Sequence, residues 1–301
     1  MLAFASVSCS AARLRQATWM EQIQQAYLIF IGASVLMFML PSGIKDVLRP
    51  LYPVAPLLPL VAKDLAHLPD TVARFRAAYA ARAWGALFAA GWPPELVGMV
   101  RLDRALRRGC LAWLLRRPRP QAPAGRAFTY LEQGSYRTVC AILLVSVLVE
   151  LPLDAAIIPL LVRGESERTT IHLLMLAGAL SSLVCMLGDR WLVGDGGHVL
   201  TEQGLQLRIG ARTHGSVPLE AIAACERLAE APEAWLRRHG IERSRAVRAS
   251  ASPFDKPNTV LMLTEDSQVR LRHLGVEREG LFCIFLYIDS PQDLVRALSA
   301  H

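Results

Sequence analysis

VCAILLVSVLVELPLDAAIIPLLV (Val139–Val162) and TIHLLMLAGALSSLVCML (Thr170–Leu187) are two long apolar runs joined by the polar loop Arg163-Gly-Glu-Ser-Glu-Arg168. At 24 and 18 residues, both lie near the ~20 that a helix needs to cross the hydrocarbon core of a bilayer. Inside lipid each backbone polar group must be bonded within its own segment, so isolated runs of this kind are expected as helices. The pair predicts a transmembrane hairpin.

The first run carries two acids, Glu150 and Asp154, at i and i+4, on one helical face. Its fifteen Val, Leu and Ile residues contribute on the order of −6 kcal/mol to insertion, and two central acids cost roughly +5 to +6. Alone, such a helix is marginal. Two arrangements relieve it. Either the acids face a bundle interior or a wet cavity, or the helix begins near Ser135 with Pro159 in its exit, which leaves both acids near the far interface. Intramembrane carboxyls are candidate proton or cation sites, although interhelix or interfacial hydrogen bonding is the commoner role. His172, near the outer end of the second run, reaches Asp154 only in the second arrangement.

Outward from the hairpin, 301 residues allow about two domains. A hydrophobic fraction of 53% exceeds the soluble norm while half the chain is ordinary in polarity, so a membrane part joined to a soluble part is expected. The net charge of +7 is concentrated beside apolar segments, as on cytoplasmic membrane flanks. No zinc-knuckle spacing, aromatic-basic interleaving or Gly-rich phosphate loop supports nucleic acid. The six cysteines are scattered without a CxxC, which fits free thiols in a reducing compartment.

Met1–Gln16 has an apolar start followed by arginines, the reverse of a signal peptide, and no cleavage is expected; Met20 is an alternative start. Ala26–Leu40 and Val47–Ala62 are two further apolar runs, the second carrying Pro50, Pro53, Pro56 and Pro59 and read as a kinked span or re-entrant piece. Ala77–Trp92, interrupted by Arg82, suits a membrane-lying helix better than a span. Pro93-Pro94 opens a helix to Leu115 in which Leu96, Met99, Val100, Leu102, Leu106, Cys110, Trp113 and Leu114 recur at helical spacing. Arg101, Arg104, Arg107 and Arg108 fall mainly off that stripe, the pattern of an interfacial helix on anionic lipid or of a soluble helix packed on its own protein. Gly98–Arg126 holds eight arginines against Asp103 alone, so this loop is placed in the cytoplasm, with Arg116–Gly125 as a linker.

The expected fold is therefore membrane α-helical, with about four transmembrane helices and a C-terminal antiparallel β-rich domain. Its parts are an N-terminal extension (1–22), two apolar spans (23–62), a cytoplasmic Arg-rich amphipathic region with linker (63–136), the transmembrane hairpin (137–193) and a cytoplasmic β domain (194–301). A two-span chain is the competing topology. In the C-terminal part, His198–Leu200 and Leu205–Ile209 read as a hairpin, and Thr259–Thr264, Gln268–His273 and Leu281–Ile288 as strands. Leu281–Ile288 is apolar throughout and suits a strand buried on both faces. Pro232–Arg248 is basic and reads as a helix and a loop. Ser290–Leu298, capped by Ser290 or Asp289, reads as a closing helix.

Leu200-Thr-Glu-Gln-Gly-Leu-Gln-Leu-Arg-Ile-Gly210, Val217-Pro-Leu-Glu-Ala-Ile222 and Ile288-Asp-Ser-Pro-Gln-Asp-Leu294 resemble the PH-like domains carried by bacterial membrane proteins of unknown function. The resemblance covers about residues 196–301. It implies a strongly bent antiparallel sheet capped by the C-terminal helix; it carries over no ligand residues, and the insert at Pro232–Arg248 departs from a minimal plan of that kind.

No G-x-S-x-G, H-E-x-x-H or deaminase-type signature occurs, so no catalytic residue, metal ligand or cofactor is assigned and a non-enzymatic role is expected. Asp255 and Asn258, around Pro257, form an Asx-type turn or a loop ligand site. Arg237 and Arg238 of the insert sit on a solvated face or meet anionic lipid. The expected location is the bacterial inner membrane, multi-pass, with both termini cytoplasmic. Membrane lipids and a protein partner or a second copy of the chain are the expected partners. Interaction, scaffolding or regulation at the membrane is the expected function, with ion-coupled transport through Glu150 and Asp154 as the alternative.

Overall fold

The structure, a computed structural model, describes residues 19–48, 54, 57–66, 68–84, 90–119 and 121–299. They fall into two compact units, Met1–Val97 and Gly98–His301.

In the first unit α1 (Trp19–Met39) packs on α3 (Leu58–Ala66), which meets α4 (Leu68–Ala80); α2 (Ser42–Leu48) lies between α1 and α3 in sequence. The apolar part of α1 is only Gln25–Met37, because Glu21, Gln22 and Gln24 precede it. Thirteen residues rise about 20 Å, short of the ~30 Å hydrocarbon core. The expected second span, Val47–Ala62, is not one helix: α2 ends at Leu48 and α3 begins at Leu58. Pro50, Pro53 and Pro56 lie outside the described residues, as does most of the 1–22 extension. Ala77–Trp92 is likewise not a continuous helix. The chain leaves α4 through a turn in which Arg82 takes a left-handed φ of 50°, and residues 85–89 lie outside the described set.

Two helices, not four, are long and apolar enough to cross a membrane among the described residues: Tyr136–Leu160 and Glu165–Val193. They belong to α6 (Tyr136–Leu161) and α7 (Glu165–Val193), and each has only 6% of its most apolar window buried. Both run past the apolar core of the sequence, α6 three residues earlier and α7 six residues later, where Tyr136 bonds Asp189 and Asp189 in turn meets Arg212 of the β region. The helix does begin at Ser135, yet it continues through Pro159.

The β region contains two sheets. The first has the order β1-β2-β3-β4-β8-β9, all antiparallel, from Arg126–Thr129, Gly197–Leu200, Gly204–Ile209, Thr213–Pro218, Leu271–His273 and Val276–Arg278. The second has the order β5-β7-β10-β6, from Ile222–Arg227, Thr259–Leu263, Cys283–Leu286 and Ala246–Ala249, with β6 and β10 parallel. Strand β1 precedes the hairpin in sequence and pairs with β2, which follows it, so the sheet brackets both helices.

Alternation sets the core. Leu205, Leu207 and Ile209 of β3 meet Leu261 and Leu263 of β7, Ile284 and Leu286 of β10, and Leu294 of the closing helix α9 (Pro291–Ser299). The opposite face of β10, Cys283 and Phe285, is covered by Trp235 and Leu236 of α8 (Pro232–His239), which explains why this strand is apolar at every position. Trp235 meets Phe285 edge-on at 5.6 Å. The five described cysteines are free, and burial pushes the Cys225 and Cys283 thiols up to about 12.

Candidate functional site: the joint between hairpin and β region

Both ends of the hairpin that face the β region are locked to it by polar side chains, although the sides of the helices are bare. Ahead of α6 the loop Tyr130–Ser135 exposes backbone donors that no helix or strand bonds. The Asp289 carboxylate accepts two of them, from Glu132 N at 3.0 Å and Gln133 N at 2.9 Å, while Asp289 N donates to Thr129 O at 2.9 Å. Asp289 is therefore not the cap of α9.

Two residues on, Asp255 Oδ1 accepts Ser135 N at 2.7 Å and the Ser135 hydroxyl at 2.8 Å. A carboxylate at the start of α6 is favoured by the positive end of the helix dipole. Asn258 fixes the neighbouring strand end: its Nδ2 donates to Ile288 O at 2.7 Å and its Oδ1 accepts Ile288 N at 3.1 Å. Asp255 and Asn258, read from the sequence as a local turn, are long-range clasps.

At the end of α7, Asp189 is buried, 5% exposed, beside Arg212 of the β3–β4 turn. Arg212 Nη2 lies 2.6 Å from Asp189 Oδ2, and the same oxygen accepts the Tyr136 hydroxyl at 2.9 Å. Arg212 also donates to Ala251 O and sits 5.8 Å over the Tyr136 ring. One carboxylate thus joins α6, α7 and the first sheet. Tyr130 completes the joint, its hydroxyl donating to Arg208 O at 2.8 Å, and burial raises its pKa.

The next helix upstream, α5 (Pro94–Leu114), packs on this joint from Gly98 onward. A Cβ on Gly188 of α7 would lie 1.8 Å from Leu106 O, and one on Gly109 would lie 2.8 Å from Gly188 O, so backbones meet directly at this crossing. Nearer its start, Gly98 meets Gly275 of the β8–β9 turn just as closely. Arg107 pairs with Asp103 at 2.8 Å and donates to Ser181 Oγ at 3.0 Å, and Arg101 donates to Gly275 O at 3.4 Å. The contact face of α5 is thus glycine-built. Met99, Val100, Trp113 and Leu114, expected on its apolar stripe, are exposed.

Other sequence candidates are not brought together. Glu150 is exposed, Asp154 and His172 are half-buried, and none of the three has a hydrogen bond or ion pair among the described residues. Arg104, Arg108 and Arg237 are exposed, and Arg238 pairs with Glu230 at 2.5 Å. His198 is wholly buried on β2: its Nδ1 accepts Arg208 N at 3.2 Å, and desolvation lowers its pKa to about 4. Among the described residues no group of three or more His, Cys, Asp or Glu side chains is placed to hold a metal. An open pocket lined by Arg126, Phe128, Thr129, Ile288, Ser290 and Asp293 has a volume of about 130 Å³, below the ~300 Å³ at which ordinary ligand sites begin.

Asp189, Arg212 and Tyr136 were not singled out by sequence, and Ser135 and Asp289 were read only as a helix start and a helix cap. The one signal was local: an acid, Asp189, placed one residue past the end of an apolar run. Comparison with known protein families, with curated proteins and with solved structures finds no match to this chain.

Proposed function

We propose that the chain is an integral membrane protein whose PH-like β region is held rigidly against a membrane-crossing hairpin and serves as a non-enzymatic interaction platform, in scaffolding or regulation. The observation that carries this reading is the joint: both inner ends of a hairpin with bare apolar sides are fixed to the β region by buried carboxylates at Asp189, Asp255 and Asp289. A mere anchor needs only a flexible tether, whereas a clamp at two ends fixes the orientation of a module relative to the bilayer. The PH-like part of the reading is supported by the placement of Leu200–Gly210 on β2 and β3 and by α9 seated on β5. The parallel β6–β10 pair departs from an all-antiparallel plan.

A hairpin places the segments before Tyr136 and after Val193 on the same side, and the eight arginines of Gly98–Arg126 make that side cytoplasmic. Labelling single cysteines at Asp46, Arg119, Glu165 and Gln268 with a membrane-impermeant thiol reagent, in intact cells and a cysteine-free background, tests the arrangement. Reaction at Glu165 with protection at Arg119 and Gln268 is expected. Labelling at Arg119 or Gln268 refutes it, and Asp46 reports whether residues 23–62 also cross.

A second reading, ion-coupled transport, is favoured by one observation. Asp154 and His172 each lie eight residues, about 12 Å, from the caps Val162 and Gly164 of the connecting loop, so they share a depth, and both are half-buried. Replacing Glu150 and Asp154 by Leu separates the readings: a platform inserts at least as well and keeps its phenotype, while a transporter inserts and loses it.

A further inference from the structure

The β region leaves little apolar surface uncovered, and what it leaves lies at one end. Among the described residues after Val193, only Phe254 and Leu274 are large apolar residues that stay exposed, at 73% and 46%. A single exposed hydrophobic residue needs no explanation, but these two share a location. Phe254 lies in the β6–β7 loop, its amide donating to Ser252 Oγ at 3.2 Å. Ser252 Oγ is 2.8 Å from Ser135 Oγ, and the neighbouring Asp255 binds Ser135 as well, so this loop sits against the start of α6. Leu274 lies in the β8–β9 turn, its amide donating to Arg212 O at 2.6 Å, and Arg212 meets Asp189 near the end of α7. Arg212 also donates to Ala251 O, which ties both loops to one residue.

Their depth follows from the helices. Ser135 precedes the first apolar run by four residues and Asp189 follows the second by two, about 6 Å and 3 Å along an α-helix. Headgroups add roughly 5–8 Å to each side of the hydrocarbon core, so both anchoring points fall within that layer. An apolar side chain held there is close to the acyl boundary. Each also has a cation beside it: Lys256, exposed, is two residues after Phe254, and Arg101 donates to Gly275 O at 3.4 Å next to Leu274.

The turn that carries Leu274 is an unusual place for a leucine. His273 pairs with Val276, leaving a two-residue loop in which Leu274 and Gly275 both have positive φ, 51° and 77°. Such hairpin turns are ordinarily made by Asn-Gly or Asp-Gly, whose short polar side chains suit both the backbone and water. A branched apolar residue at the first position suits neither, and conflicts of this kind between local preference and structure gather at functional sites.

We propose that the end of the β region joined to the hairpin rests on the bilayer itself, with Phe254 and Leu274 entering the lipid at the headgroup–acyl boundary and Lys256 and Arg101 at the level of the phosphates. The proposal rests on the membrane reading above and extends it: the hairpin and two loops give three points of contact, which brace the platform against tilting. Long basic side chains suit this arrangement, since their aliphatic stems lie along apolar surface while the charge stays in the polar layer.

The test places a nitroxide on single cysteines at Phe254, Leu274, Glu202, Leu144 or Leu176 of the full-length, otherwise cysteine-free chain in phosphatidylcholine nanodiscs. Collision with oxygen, which concentrates in lipid, is compared with collision with a water-soluble nickel chelate. All five side chains are exposed, so the label displaces no packing. Glu202 occupies the turn at the opposite end of β3, where the same label reports water. The oxygen-to-nickel ratio is expected to be several-fold higher at 254 and 274 than at 202, and highest at 144 and 176 within the hairpin. A ratio at either 254 or 274 equal to that at 202 overturns the proposal and leaves these side chains to a protein partner. If 144 and 176 also match 202, the membrane reading falls with it, whereas lipid-like values confined to 144 and 176 defeat only the lipid contact of the β region.

Discussion

The hairpin and the β region obey opposite rules with the same residue types. In α6 and α7, Leu, Ile and Val point outward, and only 6% of each apolar window is buried. In the sheets, Leu205, Leu207, Val217, Leu261 and Ile284 are fully buried. On the proposed membrane reading the difference is one of solvent: burial in water removes apolar area from contact, while lipid makes burial unnecessary and leaves close packing and polar pairing to hold helices together. Where the two regimes meet, the structure uses contacts that work in either, namely backbone-to-backbone crossings at glycine and carboxylates that each accept two hydrogen bonds.

That contrast can be broken most severely at Gly188. Even a methyl group there would press on the Leu106 carbonyl, a backbone atom that no rotamer change can move. Gly188→Val should displace α5 at a cost of several kcal/mol, seen as rapid tryptic cleavage between Arg104 and Arg117 in micelles. A wild-type digestion pattern would show that the helices do not cross so closely.

Removing the charge at the joint comes next. Asp189→Leu strands the Arg212 guanidinium and the Tyr136 hydroxyl, and a loss of about 3 kcal/mol is expected in thermal unfolding. Adding Arg212→Leu should restore most of it. If the double variant is no better than the single one, the pair is not the unit that stabilises the joint.

The smallest effect sharpens the comparison within the β region itself. Burial holds His198 near pKa 4 against 6.5 when unfolded, so between those values the unfolded chain binds more protons and stability falls with falling pH. The contribution is absent above pH 6.5 and costs about 2 kcal/mol by pH 5. His273, lowered to about 4 by burial and by Arg278, acts in the same direction. His198→Gln should remove one part of the acid-side slope in melting temperature and leave the rest; an unchanged slope would mean that this imidazole is not the group titrating.

The sequence made the hairpin legible because a run of apolar residues is a one-dimensional signal. The strands at β2, β3, β7, β8 and β10 were legible, and the all-apolar Leu281–Ile288 announced that both its faces are covered, while β6 (Ala246–Ala249) begins inside the stretch read as helix and loop. What stayed hidden depends on separation. Ser135 meets Asp255 across 120 positions and Gln133 meets Asp289 across 156, and no local pattern reports such partners. Asp289 looked like a helix cap because it stands beside Ser290-Pro291, a correct local cue overridden by two unbonded amides elsewhere. Strand β1 is four residues long after a proline-rich segment, too short for alternation to register. On α5 the apolar stripe was visible and left open between a lipid surface and packing, whereas the contact is made by Gly98 and Gly109, which periodicity does not weigh, with Cys110 of the stripe.

The pairing of β1 with β2 carries a consequence for biosynthesis. Thr129 leaves the ribosome 68 residues before its partner Gly197, and everything between them is the hairpin and the loop ahead of it. At roughly 5–20 residues per second the first edge strand waits about 3 to 14 seconds for its partner, the time in which all of α6 and α7 is made. Throughout that wait β1 is a strand edge without a neighbour, so any insertion of the two helices into a bilayer competes with an edge open to wrong pairing.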